Sequence, residues 1–136
     1  MKKSTKGFTL IELLAVIVIL AIIALIATPI VLNLINTARK GAAARSAEGI
    51  RDAAKKSYFA ALTEDPNAWS DDVEVSYPST NIDKIEIDGQ APTEGNVTIK
   101  STGEVTGTDL KFGAYYCSFG NTGSAKCDTS KVGALS

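Results

Sequence analysis

The stretch GFTLIELLAVIVILAIIALIATPIVLNLI, residues 7–35, decides the architecture of this chain of 136 residues. Only four positions between residues 8 and 32 are not apolar, and these are Thr9, Glu12, Thr28 and Pro29. An α-helix rises 1.5 Å per residue, so this run is long enough to cross the hydrocarbon layer of a bilayer, which is about 30 Å thick. The sequence therefore predicts a membrane-spanning N-terminal helix.

Three lysines precede the apolar run, at Lys2, Lys3 and Lys6, and predict a cytoplasmic N-terminus with the rest of the chain exported. A cleavable secretory signal would be shorter and end in an Ala-x-Ala-like cut, which does not directly follow this run. A plain single-pass anchor explains the hydrophobicity but not Glu12. A carboxylate costs about 2.5–3.5 kcal/mol near mid-membrane unless it is paired, so we expect Glu12 to have a positively charged or hydrogen-bonding partner.

The string KGFTLIE, residues 6–12, resembles the processing site of type IV prepilins. It has a basic leader, a glycine, a phenylalanine, and a glutamate at the fifth position after the glycine. Pro29 also lies where that family usually has a proline in its membrane helix. The resemblance covers residues 1–35 and extends to the related pseudopilins of type II secretion and competence systems.

The resemblance implies that a peptidase at the cytoplasmic face cuts between Gly7 and Phe8, and that the new Phe8 amine is then N-methylated. Glycine carries no side chain that would obstruct a protease at this bond. In this interpretation residues 1–7 form a leader peptide. Residues 8–35 form the transmembrane and filament-core helix.

The resemblance also implies roles in filament assembly for Glu12, Thr9 and Pro29. In a staggered bundle of parallel helices, the Glu12 carboxylate of one copy meets the Phe8 amine of the next, which favours one register between subunits. The alternative is that Glu12 reaches the lipid headgroups. Pro29 removes a backbone hydrogen bond and predicts a bent or loosened helix near residues 25–29.

An alanine-rich segment continues the helix through residues 36–64 to the Asp65-Pro66 pair. One helical face carries small or apolar residues suited to packing on a sheet, at Ala43, Ala47, Ile50, Ala54 and Ala61. Residues 65–136 form the predicted globular β head, with three to five antiparallel strands. Alternating apolar residues predict strands at residues 73–77, 85–87 and 97–99 and two more after residue 105. The expected fold class is α+β, the pilin fold implied by the resemblance.

Cys117 and Cys127 bracket a loop rich in glycine and polar residues. If the head lies outside the cytoplasm, a disulfide is expected, and many pilins close a C-terminal loop in this way. Two thiols in a reducing compartment are the alternative.

The sequence contains no histidine and shows no catalytic motif, so we expect a structural protein without cofactor and not an enzyme. Pseudopilins often bind calcium, so a calcium site is one interpretation of the acidic residues Asp71, Asp72 and Glu74. A solvated acidic turn is the favoured interpretation of these three residues.

The resemblance implies a subunit that sits in the cytoplasmic membrane and then polymerises into a surface filament. It implies a prepilin peptidase, an assembly ATPase and a membrane platform protein as partners. Its functions would be adhesion, twitching motility, biofilm formation or DNA uptake, on a host or abiotic surface. The alternatives are a pseudopilin and, in a different class, a membrane-anchored monomeric binding module that keeps residues 1–7.

A charge difference separates two parts of the exported region. Residues 36–62 hold six basic and two acidic side chains, whereas the chain from Thr63 onward holds twelve acidic and five basic ones. This split predicts attraction between the helix of one copy and the head of another. Two independently solvated surfaces are the alternative.

Overall fold

The computed structural model describes residues 7–135. The predicted leader, apart from Gly7, lies outside these described residues. The chain begins with one α-helix, α1, which spans Leu10–Glu64 and runs through Pro29 without interruption. Beyond its end, the Asp65 carboxylate accepts the Asn67 N–H at 2.9 Å, and Pro66 has no N–H to continue the helix. The helix therefore ends where the Asp65-Pro66 pair predicts.

Residue contacts divide the chain into two units, with the boundary between Ala38 and Arg39. In the first unit, the large apolar side chains from Phe8 to Ile35 are 39–86% exposed. By length and composition, α1 is apolar enough in this part to cross a membrane. This exposure of apolar surface is what a lipid or helix-bundle environment would cover.

The second unit contains a five-stranded sheet in which every strand pairs antiparallel with the next strand along the chain. The strands are β1 (Val73–Tyr77), β2 (Gly95–Ile99), β3 (Val105–Phe112), β4 (Tyr115–Phe119) and β5 (Lys126–Asp128). A short 3-10 helix, Ile82–Lys84, lies between β1 and β2. The strand β5 was not predicted individually, because three residues with two charged members give no alternating apolar pattern.

One face of α1 packs on this sheet and forms the core of the second unit. The buried helix residues recur every three to four positions, and they are Ala43, Ala47, Ile50, Ala54 and Tyr58. They meet inward-facing side chains of the strands, among them Val75, Val97, Ile99, Leu110 and Phe119. The α+β fold class is confirmed, with the helix packed on an antiparallel sheet as in pilins.

The strand predicted at Ile85 and Ile87 is wrong. This segment follows the 3-10 helix as irregular chain and reaches no neighbouring strand. Ile85 is nevertheless buried, and the Glu86 N–H donates to the Ser57 hydroxyl on α1 at 3.3 Å. The alternation therefore reports burial of Ile85 in the core and not pairing with a neighbouring strand.

A bulge between Gly107 and Leu110 interrupts the pairing of β3 with β4. Within it Asp109 adopts a left-handed conformation with φ of 51°. Its N–H donates to the buried Ser118 hydroxyl at 2.9 Å, and its carboxylate accepts the N–H groups of Val132 and Gly133. The bulge thus turns one carboxylate toward the C-terminal residues and fixes them to the sheet.

Candidate functional site

The segment with the predicted processing and assembly residues forms the start of α1. Gly7, Phe8 and Thr9 are not helical, and the helix begins at Leu10. The Glu12 N–H donates to the Thr9 hydroxyl at 3.2 Å, and the Thr9 N–H donates to the Glu12 carboxylate at 3.3 Å. This reciprocal pair is a capping box, which supplies hydrogen-bond partners for backbone groups at the start of the helix. We refer to Thr9 and Glu12 as the N-terminal cap.

Phe8, the residue predicted to become the mature N-terminus, is 77% exposed. Gly7 has no heavy atom within 4 Å of the position where a side chain would begin. A substitution at Gly7 therefore meets no steric obstacle within the described part of the chain. The lysines of the predicted leader lie outside the described residues.

Pro29 lies inside α1, 17 positions after Glu12, so the two assembly residues are separated by about 25 Å along the helix. Pro29 cannot donate a hydrogen bond to the Leu25 carbonyl oxygen. The neighbouring Thr28 hydroxyl donates to the Ala24 carbonyl oxygen at 2.6 Å. The helix is continuous here in the isolated subunit, and the loosening expected near Pro29 stays a prediction.

The disulfide expected between Cys117 and Cys127 is present. The two residues lie opposite each other on β4 and β5, with Cα atoms 4.1 Å apart. The disulfide therefore closes a hairpin whose connecting residues, 120–125, form a loop at the edge of the sheet. Both cysteines are buried in the core.

Three charged side chains of α1 hold this loop, and we call them the helix anchor. Arg51 donates to the carbonyl oxygens of Gly120 and Gly123, and Lys55 donates to that of Asn121. Glu48 accepts the Ala125 N–H at 2.9 Å. Residues 48, 51 and 55 share one helical face, so each side chain reaches a different part of the loop. Their partners lie 66–77 positions away in the chain, so no local pattern in the sequence indicates them.

Two of the three acidic residues considered for calcium accept hydrogen bonds through their carboxylates. Asp72 accepts the Ser101 N–H at 2.8 Å and so joins the end of β2 to the segment before β1. Asp71 accepts a hydrogen bond from the Ser70 hydroxyl at 3.4 Å. Within residues 7–135, no group of three or more acidic or cysteine side chains is arranged to hold a metal ion.

A groove of about 580 Å³ lies between α1 and the irregular segment that replaces the predicted strand. Its charged lining residues carry both signs, and they are Arg45, Asp52, Lys56, Glu86 and Asp88. None of the residues predicted to act in processing or assembly lines this groove. The candidate functional residues lie instead at the start of α1, at Pro29 within it, and at the disulfide-closed hairpin of β4 and β5.

Comparison with known families gives one match. Residues 2–28 match the family model described as the prokaryotic N-terminal methylation motif. This match includes the N-terminal cap and most of the apolar run, and it confirms the resemblance found in the sequence. The comparison with curated proteins gives no match, and neither does the comparison with solved structures.

Proposed function

We propose that this protein, whose N-terminus carries the prokaryotic methylation motif, is the structural subunit of a type IV pilus. The observation that carries the proposal is the match at residues 2–28 at the start of a helix whose apolar side chains are exposed from Phe8 to Ile35. A helix of this kind needs lipid before assembly and other copies of itself afterwards. The compact head would then lie on the outside of the filament.

The proposed sequence of events starts with insertion of the precursor in the cytoplasmic membrane. A prepilin peptidase removes residues 1–7 by cutting between Gly7 and Phe8, and Phe8 is N-methylated. An assembly ATPase and a membrane platform protein then add the subunit to the filament. The filament serves adhesion, twitching motility, biofilm formation or DNA uptake, and the protein itself has no enzymatic role.

Attraction between the basic helix and the acidic head of neighbouring subunits is part of this proposal. Arg51 and Lys55 already bind the loop of their own subunit, so the attraction rests on the other basic residues of the segment. These are Arg39, Lys40, Arg45 and Lys56. High salt is expected to weaken the filament, since at 1 M the Debye length falls to about 3 Å and exposed charges further apart are screened.

The mature N-terminus decides the proposal. Protein isolated from cells is expected to begin at Phe8 and to carry the mass of one added methyl group. A Gly7→Val precursor is expected to stay uncut, because the new side chain would contact the peptidase and no neighbour in the described chain. Gly41→Ala, which also meets no atom within 4 Å, is the control for the change of a glycine. A mature chain that starts at Met1 would contradict the proposal and support the monomeric anchored module.

A pseudopilin of a secretion or competence system carries the same N-terminal motif. Electron microscopy separates the two functions, since a pilus subunit gives long surface filaments and a pseudopilin does not.

A further inference from the structure

We infer that Thr9 is a positioning residue for leader removal, because the N-terminal cap ends α1 at Leu10 and keeps the Gly7–Phe8 peptide bond outside the helix. This inference rests on the proposed function, from which it takes cleavage between Gly7 and Phe8. It adds a role that the methylation motif alone does not assign to the threonine hydroxyl.

The hydrogen bonds of the cap block the growth of α1 toward its N-terminus. A helix extends backward when each N–H finds the carbonyl oxygen four residues earlier, which for Glu12 is the carbonyl oxygen of Phe8. The Thr9 hydroxyl takes the Glu12 N–H instead, at 3.2 Å. The Glu12 carboxylate takes the Thr9 N–H, which in a longer helix would bond to a leader carbonyl. Two of the four backbone N–H groups that an extended helix would use, those of Thr9 and Glu12, are therefore already engaged.

The conformation of the residues before the cap agrees with this role. Gly7, Phe8 and Thr9 are non-helical and exposed. The Leu13 N–H, by contrast, bonds to the Thr9 carbonyl oxygen at 3.1 Å, as in a regular first turn. Regular helical bonding thus reaches back to the Thr9 carbonyl and no further. The Phe8 carbonyl oxygen, one residue earlier, loses its helical donor to the cap.

Cleavage needs an extended, accessible backbone. Hydrolysis adds water across the bond between the Gly7 carbonyl carbon and the Phe8 nitrogen, so that Gly7 leaves with a carboxylate and Phe8 gains an amine. Partners that bind extended peptides do so through main-chain hydrogen bonds, which a helix would already have satisfied internally. The cap keeps these main-chain groups available to the peptidase, and without it the helix extends over the scissile bond.

Three variants of the full-length precursor test the inference in membrane vesicles that contain a prepilin peptidase. Thr9→Val keeps the shape and β-branching of the side chain but lacks the hydroxyl, whereas Thr9→Ser keeps the hydroxyl. Thr28→Val is the matched control, because the Thr28 hydroxyl also bonds within α1, to Ala24, far from the predicted cut. The measurement is the initial rate of leader release, followed by mass.

We expect Thr9→Val to release its leader about fivefold more slowly, the change in rate that corresponds to a typical helix cap of about 1 kcal/mol. Thr9→Ser and Thr28→Val are expected to match the wild type. The carbonyl carbon-13 chemical shift of Phe8 in lipid should move toward the helical value in Thr9→Val alone. A role in general stability would not produce this local change.

A Thr9→Val rate equal to or above that of the wild type would overturn the inference, since it would show that the cap does not present the scissile bond. That result is distinct from failure of the proposed function. If the wild-type precursor keeps its leader, the proposed cleavage fails whatever Thr9 does. If the wild type is cut after Gly7 and Thr9→Val is cut equally fast, only the role of Thr9 fails.

Discussion

Arg51 donates a hydrogen bond of 2.6 Å to the carbonyl oxygen of Gly123, 72 positions further along the chain. The same guanidinium lies 5.8 Å from the centroid of the Phe119 ring, which is fully buried in the core. One side chain of α1 thus contacts both the sheet and the loop closed by the disulfide. Because backbone carbonyls are its hydrogen-bond acceptors, the contact depends on the path of the loop and not on the side chains that the loop displays.

Arg51→Met is expected to lower the free energy of unfolding by about 1–2 kcal/mol, because the stem is kept but two charge-assisted hydrogen bonds are lost. Urea unfolding of the detergent-solubilised protein measures this change. Hydrogen exchange at residues 120–123 should also become faster. The matched control is Arg39→Met, at an exposed position of the same helix, which should change stability by no more than about 0.5 kcal/mol. Equal losses in the two variants would count against the anchor.

Reduction of the Cys117–Cys127 disulfide is expected to lower the free energy of unfolding by about 2–3 kcal/mol, because the unfolded chain regains the freedom of the closed segment. The loop should stay in place in the folded state, since Arg51, Lys55 and Glu48 hold it independently of the sulfurs. Unfolding with and without reductant measures the first effect. Hydrogen exchange at residues 120–125 measures the second, and loss of protection there on reduction alone would contradict it.

Gly107→Ala is expected to destabilise the head by about 1–3 kcal/mol. A Cβ atom at this position would clash with the buried Phe119 ring, so the ring or the strand must shift. Gly41→Ala adds the same atom to open space on α1 and should stabilise the helix by up to about 1 kcal/mol. The unfolding temperatures of the two variants should therefore shift in opposite directions. Shifts of the same sign would show that Gly107 is not more crowded than Gly41.

The burial of Tyr77 is expected to lower the free energy of unfolding at alkaline pH. Burial raises the pKa of its phenol above the usual value of 10.0, so the folded state keeps the proton that the unfolded state releases near pH 10. The folded state then binds more protons, and the free energy of unfolding falls as pH rises from about 10 through the folded pKa. Below pH 10 this contribution is constant.

Tyr77→Phe should remove this part of the alkaline loss, as measured by unfolding between pH 8 and pH 12. At neutral pH the variant should be at least as stable as the wild type. Among residues 7–135 the Tyr77 hydroxyl has no hydrogen-bond partner, so its removal breaks no hydrogen bond. Identical pH profiles for the two proteins would disprove the role of Tyr77.

Glu12→Gln separates charge from capping in the proposed assembly. The amide oxygen of glutamine can still accept the Thr9 N–H, but the side chain cannot neutralise the Phe8 amine of a neighbouring subunit. Leader removal is expected to continue, whereas filaments seen by electron microscopy should fall at least tenfold. Filaments in wild-type number would show that the carboxylate charge is not needed for assembly.

The sequence predicted the helical part of the structure well because its signals are local. The apolar run, the alanine face and the Asp65-Pro66 end all depend on residues close to one another in the chain. The alternation of Val73, Val75 and Tyr77 also predicted a real strand, since β2 lies beside it. The similar alternation at Ile85 and Ile87 failed, because burial against the core produces the same pattern as pairing in a sheet, and the pattern does not tell the two apart.

The roles assigned to the candidate site residues stay predictions, and only their place in the chain can be compared with the family match. Gly7, Phe8 and Glu12 are close together in the chain, so their pattern can be recognised in the sequence, and the family match includes all three. The hydrogen bond between Thr9 and Glu12 was readable as a capping box, with threonine and glutamate three positions apart, although the sequence interpretation assigned both residues to assembly. The helix anchor was not readable, because its partners are backbone carbonyls, which every residue possesses.

The order of the strands in the sheet is the same as their order in the chain, so each strand finds its partner immediately before or after it. In such a meander only consecutive strands pair, and the widest separation is between β1 and β2, whose paired residues lie 18–26 positions apart. In the proposed pathway the head crosses the membrane after the helix has been anchored by its N-terminal half. Each hairpin could then form as soon as its second strand emerges, so the sheet can grow in step with export. The oxidation of Cys117 with Cys127 on the last hairpin would come as the closing event of secretion.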